Sequence, residues 1–107
     1  MIHEIEQRRS ELEAPCRRFG VRRLEVFGSA VTRAFRAELS DLDFLVEFDA
    51  ASGAGCAGRY FGLLESLQQR FERRVDLVVE SAVKNPFFRE TIERTKALLY
   101  AACYAAR

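Results

Sequence analysis

Ser40-Asp41-Leu42-Asp43-Phe44-Leu45-Val46-Glu47-Phe48 is the stretch that decides how this chain folds. Leu42, Phe44, Val46 and Phe48 alternate with Asp41, Asp43, Leu45 and Glu47, the period of a β-strand whose successive side chains leave on opposite faces. Asp41 and Asp43 therefore point the same way. Residues two apart on a strand are separated by about 6.6 Å of rise, so both carboxylates can converge on one metal ion or on a pair of ions.

Upstream, Val21–Phe27 has β-type composition and stops at Gly28-Ser29, where the chain is expected to turn sharply into a short helical segment over residues 30–33. Such a turn offers backbone N–H groups to phosphate oxygens, and closely spaced Asp side chains hold the Mg²⁺ that neutralises them. Before that strand, Ile2, Ile5, Leu12, Cys16 and Phe19 recur at helical spacing. They predict an amphipathic helix ending near Gly20, with Pro15 kinking it or starting a fresh turn.

Downstream, residues 49–58 are almost all Ala, Gly and Ser and read as a surface loop. Tyr60, Leu63, Leu64, Leu67 and Phe71 describe a helix that packs on the sheet. It ends in Arg70, Arg73 and Arg74, which read most simply as a solvated helix end complementing the dipole, with contact to a partner as the alternative. Residues 75–80 predict a third strand with Asp76 near its start. Asn85-Pro86 predicts the start of a last helix, with Asn as N-cap and Pro in the first turn. Phe88, Ile92, Thr95, Leu99 and Ala102 supply that helix with an apolar face, and Phe87, Phe88 and Leu98-Leu99-Tyr100 are expected to be core on one side. The apolar run continues through Tyr104, so packing and a subunit interface, including a homodimer, both remain open for it.

Composition bounds the partners. With 107 residues and 49% hydrophobic content the chain fits one globular domain spanning 1–107. Its 17 basic and 16 acidic side chains leave a net charge of only +1, so a long polyanion such as nucleic acid is not an expected partner. Cys16, Cys56 and Cys103 form no Cys-x-x-Cys pair and have no neighbouring His, which argues against zinc. His3, the only histidine, reads as a surface residue. No apolar run reaches the roughly 18 residues a membrane helix needs, and residues 1–9 lack a signal-peptide core, so the expected location is the cytoplasm.

The reading strand, loop, strand, helix, strand, helix gives an α/β (α+β) domain whose small mixed sheet presents Asp41, Asp43 and Asp76 on one edge of one face. Three such carboxylates repel one another unless a cation or a proton intervenes, and Mg²⁺ suits a few carboxylates shared with substrate phosphates. Leu24-Glu25-Val26-Phe27-Gly28-Ser29, the Ser40 to Phe48 stretch and Val75-Asp76-Leu77-Val78 together resemble the minimal nucleotidyltransferases of the DNA polymerase beta superfamily. The similarity continues through Tyr60-Phe61-Gly62-Leu63-Leu64 and Asn85-Pro86-Phe87-Phe88.

That resemblance implies a nucleotidyltransferase fold in which Gly28 and Ser29 hold a triphosphate. It makes Asp41, Asp43 and Asp76 the metal and catalytic carboxylates, with one or two Mg²⁺ as cofactor and ATP as substrate. It further implies an antitoxin that pairs with a HEPN-type toxin and transfers AMP to a tyrosine of that toxin. The chain departs from many relatives in one respect, carrying Thr32-Arg33 where they have Arg-Gly, which bears on the turn after the short helix. Two alternatives stand beside the enzyme: an antitoxin that neutralises its toxin by binding alone, and a transferase acting on a small molecule.

Overall fold

The computed structural model describes residues 3–28, 31, 41–49 and 56–102. Among them the chain runs through α1 (His3–Arg8), a 3-10 turn (Arg9–Leu12), α2 (Glu13–Arg18), β1 (Val21–Phe27) and β2 (Leu42–Phe48). It continues through α3 (Cys56–Phe71), β3 (Val75–Val79), a second 3-10 turn (Glu80–Ala82), α4 (Pro86–Thr95) and β4 (Ala97–Ala101). The strands form one mixed sheet in the order β3-β2-β1-β4, with β1 antiparallel to β2 and β4, and β2 parallel to β3. A parallel pair needs a long crossover, and α3 supplies it. This is the α/β architecture with a small mixed sheet that the alternation predicts.

The N-terminal apolar stripe takes the fresh-turn form. Pro15 is the third residue of α2, where its missing N–H has no helical partner to lose, and the chain ahead of it tightens into the 3-10 turn. Ile5, Leu12 and Cys16 still reach one core and are fully buried. Gly20 closes α2 at φ +68°, while the amides of Phe19 and Gly20 donate to the carbonyls of Pro15 and Arg17.

The sheet divides the interior in two. On one face Leu24, Val26, Leu42, Phe44 and Val46 meet Leu63, Leu67 and Phe71 of α3 and the N-terminal helices. The other face carries a smaller cluster of Phe27, Leu45, Val83 and Ile92, which seats α4. The helix α4 starts as its sequence requires, with Asn85 Oδ1 accepting from the amides of Phe87 at 2.8 Å and Phe88 at 3.3 Å.

The C-terminal segment corrects the expectation of one long last helix. Helix α4 stops at Thr95, and Ala97–Ala101 pairs with β1 as a fourth strand. Leu99 is buried in the larger core and Ala97 and Tyr100 pack against it, whereas Leu98, expected in the core, is 44% exposed because its side chain leaves the opposite face of the strand. Tyr104 lies outside the described residues. Phe87 is also corrected: it is 79% exposed, whereas Phe88 leans on Phe27 with ring centroids 5.8 Å apart. The basic cluster is not simply solvated, because Arg70 pairs with Glu11 and Arg73 with Glu4 at 2.8 Å, tying the end of α3 to the N-terminal helices. No helix among the described residues is long and apolar enough to cross a membrane.

Candidate active site

Asp43 is the second residue of β2, and its register neighbours are Phe27 on β1 and Asp76 on β3. In a sheet, residues directly opposite share a face, so Asp43 and Asp76 stand side by side with their carboxyls close enough to interact. Asp41 lies just ahead of β2, whose first amide, that of Leu42, donates to the Arg74 carbonyl at 3.1 Å and so starts the parallel pairing with β3. Partial burial pushes the Asp43 carboxyl up from 3.8 to about 6, followed by the charge of Asp76, the hydrogen bond between them and the charge of Asp41. Like charges brought together out of water cannot all remain ionised without a cation.

The turn after β1 sits directly against this pair. Gly28 adopts φ +74°, a conformation that strains any other residue, and a Cβ there would stand 2.9 Å from Asp43 Oδ2 and push that carboxylate aside. Its carbonyl accepts from the Val31 amide at 3.0 Å, closing the turn. Its own N–H donates to Thr95 Oγ1 at 2.9 Å, so that amide is already engaged inside the protein. Ser29, Thr32, Arg33 and Ser40 lie outside the described residues, as does most of the expected short helix over 30–33.

Asp43 and Asp76 line an open cleft of about 380 Å³ together with Phe27, Tyr60, Leu64, Leu77 and Phe88. Tyr60 donates its hydroxyl to the Leu77 carbonyl at 2.6 Å, capping an outward-facing backbone group of the edge strand β3. A slightly larger hollow of about 410 Å³ lies between α2 and α3, lined by residues such as Pro15, Phe19 and Gly62, and it contains none of the three aspartates. The acidic cleft is therefore where charge chemistry is possible.

The donor set suits a hard cation. Among the described residues, Asp41, Asp43 and Asp76 included, no group of three His, Cys, Asp or Glu is placed to hold a metal ion: Asp43 and Asp76 meet, but the expected trio with Asp41 does not form, because Asp41 lies ahead of the strand pairing. Mg²⁺ does not need such a trio, since it binds through one or two carboxylates and completes its shell with water and substrate phosphates. The raised Asp43 carboxyl fits that role, because a pair that strains to hold its charges gains most from a divalent ion between them.

Two residues of this region carry no recognisable sequence signal. Glu25 shares the face of Phe27 and Asp43 and is only 6% exposed, its oxygens 3.7 Å from Arg23 Nε and 3.6 Å from Lys96 Nζ. Thr95 reads in the sequence as one more position on a helix face, yet it contacts the Gly28 turn 67 residues away. Both contacts follow from how α4 and β4 dock on β1, which local spacing does not reveal.

A model of the nucleotidyltransferase domain matches residues 9–99. The protein adenylyltransferase MntA of Thermococcus cleftensis is 41% identical over 68 residues, which cover 64% of this chain and 65% of that protein. A structure solved as a minimal nucleotidyltransferase superposes with a TM-score of 0.70 at 32% identity, covering 87% of this chain and 90% of the other. The MNT antitoxin in complex with the tri-AMPylated HEPN toxin of Shewanella oneidensis has a TM-score of 0.60 at 16% identity, covering 91% and 72%, a likeness of fold alone. The matched span holds β1 with its glycine turn, the Asp43–Asp76 pair and the α3 crossover between their strands, and this chain belongs to the nucleotidyltransferase domain family.

Proposed function

We propose that this chain is a protein adenylyltransferase that transfers AMP from ATP to a tyrosine of a helical HEPN-type toxin and thereby serves as the antitoxin of the pair. The observation that carries the reading is Asp43 and Asp76 side by side on neighbouring strands, lining one cleft and set against the Gly28 turn. Its likeness to a relative named protein adenylyltransferase supports the reaction class, and the fold shared with an MNT antitoxin supports the kind of partner.

In the proposed reaction the tyrosine oxygen forms a bond to the α-phosphorus of ATP. The bond from that phosphorus to the α,β-bridging oxygen breaks, pyrophosphate leaves, and the phenolic proton is lost. Asp43 and Asp76, with Asp41 at the entrance to β2 adding charge, would hold Mg²⁺, which when bound neutralises the triphosphate and lowers the pKa of the attacking hydroxyl. Asp76, the more exposed of the pair, would orient that hydroxyl and accept its proton. The Gly28 turn shapes the wall beside Asp43, and Phe27, Tyr60 and Phe88 line the cleft with aromatic sides.

Incubating the purified chain with Mg²⁺, α-labelled ATP and the product of the adjacent reading frame tests the proposal. Label should appear on a tyrosine of that partner and vanish with Asp43→Asn. Tight capture of the partner without any label would leave an antitoxin acting by binding alone, and label on small molecules only would overturn the protein acceptor.

A further inference from the structure

We infer that Thr95 is a positioning residue for the nucleotide-binding turn, its hydroxyl holding the Gly28 amide so that the turn stands against Asp43 before substrate arrives. The inference rests on the reading of Gly28 and Asp43 as part of a nucleotide site. Its physical basis is a two-sided hydrogen bond: Thr95 Oγ1 accepts from Gly28 N at 2.9 Å and donates to the Thr91 carbonyl at 2.9 Å. The hydroxyl proton is committed to the helix, which turns an oxygen lone pair toward Gly28. Serine offers the same donor and acceptor on a short stem, whereas valine reproduces the shape of threonine and offers neither.

The mount for this hydroxyl is firm. Ile92, one turn earlier, is buried beside Phe27, the residue that precedes Gly28, and Lys96 reaches the buried Glu25 on the same strand. Helix α4 is thus seated on β1 on both sides of Thr95. What the bond holds is a backbone that needs holding. Gly28 lies in the left-handed region at φ +74°, and without a Cβ it has wide conformational freedom. If the turn is free to leave that conformation, the apparent affinity for substrate falls by the fraction of molecules that still hold it. A residue that only stabilised the fold would not act on substrate affinity in this selective way.

The test compares wild type, Thr95→Ser and Thr95→Val in three measurements: titration with the magnesium complex of a non-hydrolysable ATP analogue, KM and kcat for AMP transfer, and hydrogen exchange at the Gly28 amide. Loss of one hydrogen bond of ordinary strength should weaken binding and raise KM for ATP about tenfold in Thr95→Val, with kcat changed less than about twofold. Thr95→Ser should stay within about twofold of wild type. The Gly28 amide should be protected in wild type and Thr95→Ser, and should exchange at least about tenfold faster in Thr95→Val.

A freely exchanging Gly28 amide in the wild type overturns the inference, whether or not the valine variant folds. So does a serine variant as weak as the valine one, or a folded valine variant that binds as wild type does. In that last case the nucleotide reading survives. Wild-type protein that binds no nucleotide at all overturns the nucleotide reading and this inference with it.

Discussion

Replacing Asp43 by Asn should stabilise the metal-free protein at neutral pH while removing its activity. The folded protein holds a proton on Asp43 up to about pH 6, against 3.8 for an ordinary aspartate. Between those values the folded state binds more protons than the unfolded chain, so stability falls as pH rises through the window, and the full penalty applies above about pH 6. At about 1.4 kcal/mol per pH unit the rise would correspond to about 3 kcal/mol for a fully buried group. Asp43 is only half-buried, and solvent screening reduces the expected penalty to about 1 kcal/mol. Asparagine does not titrate and keeps the amide needed to hydrogen-bond Asp76, so it escapes this loss. Urea denaturation of both proteins in chelator, followed by circular dichroism from about pH 4 to about pH 8, measures the difference. Asn minus Asp should grow by about 1 kcal/mol between pH 4 and pH 7.5, which raises the melting temperature by about 4–8 °C in a domain of this size. A difference that stays flat with pH, or that shrinks as pH rises, would refute the account of Asp43 as a desolvated carboxylate crowded by Asp76.

Adding Mg²⁺ and ATP should reverse that order: at a hundred times the dissociation constant the ligand adds about 2.7 kcal/mol to wild type and little to Asp43→Asn, read as a thermal shift. Gly28→Ala should cost about 1–3 kcal/mol in denaturation, since alanine must enter the left-handed region and its Cβ would stand 2.9 Å from Asp43 Oδ2, and AMP transfer should fall with it. Asn85→Ala should cost about 1 kcal/mol through loss of the α4 cap with no selective effect on KM. Leu63→Ala, in the fully buried face of α3, should cost about 2–5 kcal/mol and serves as the control for a purely structural lesion.

The sheet's centre was legible because its residues obey their period. In β2 the alternate positions Leu42, Phe44 and Val46 are all fully buried, and the Asp43 side carries the acidic pair. The Asn85-Pro86 cap and the α3 stripe read correctly for the same reason: each signal is local. Strand β4 did not. Ala97-Leu98-Leu99-Tyr100-Ala101 is built from good helix formers that continue the spacing of Phe88 and Ile92, and only hydrogen bonding to β1 overrides that preference. The site divides in the same way. Which aspartates share a face follows from strand period, but that Asp43 stands opposite Asp76 depends on the register of a parallel pair with α3 between its strands. The link from Thr95 to Gly28 lies further still from any local rule, because it exists only once α4 has docked on β1.

The most direct measurement is nuclear magnetic resonance of the isotope-labelled protein with Mn²⁺ standing in for Mg²⁺ and a non-hydrolysable ATP analogue. A paramagnetic ion held by this pair should broaden the amide signals of Gly28, Asp43 and Asp76 first, and Asp43→Asn should abolish that selective loss. Broadening centred on the hollow between α2 and α3, or spread evenly over the acidic surface, would contradict the assignment of the Asp43–Asp76 pair as the metal and nucleotide site.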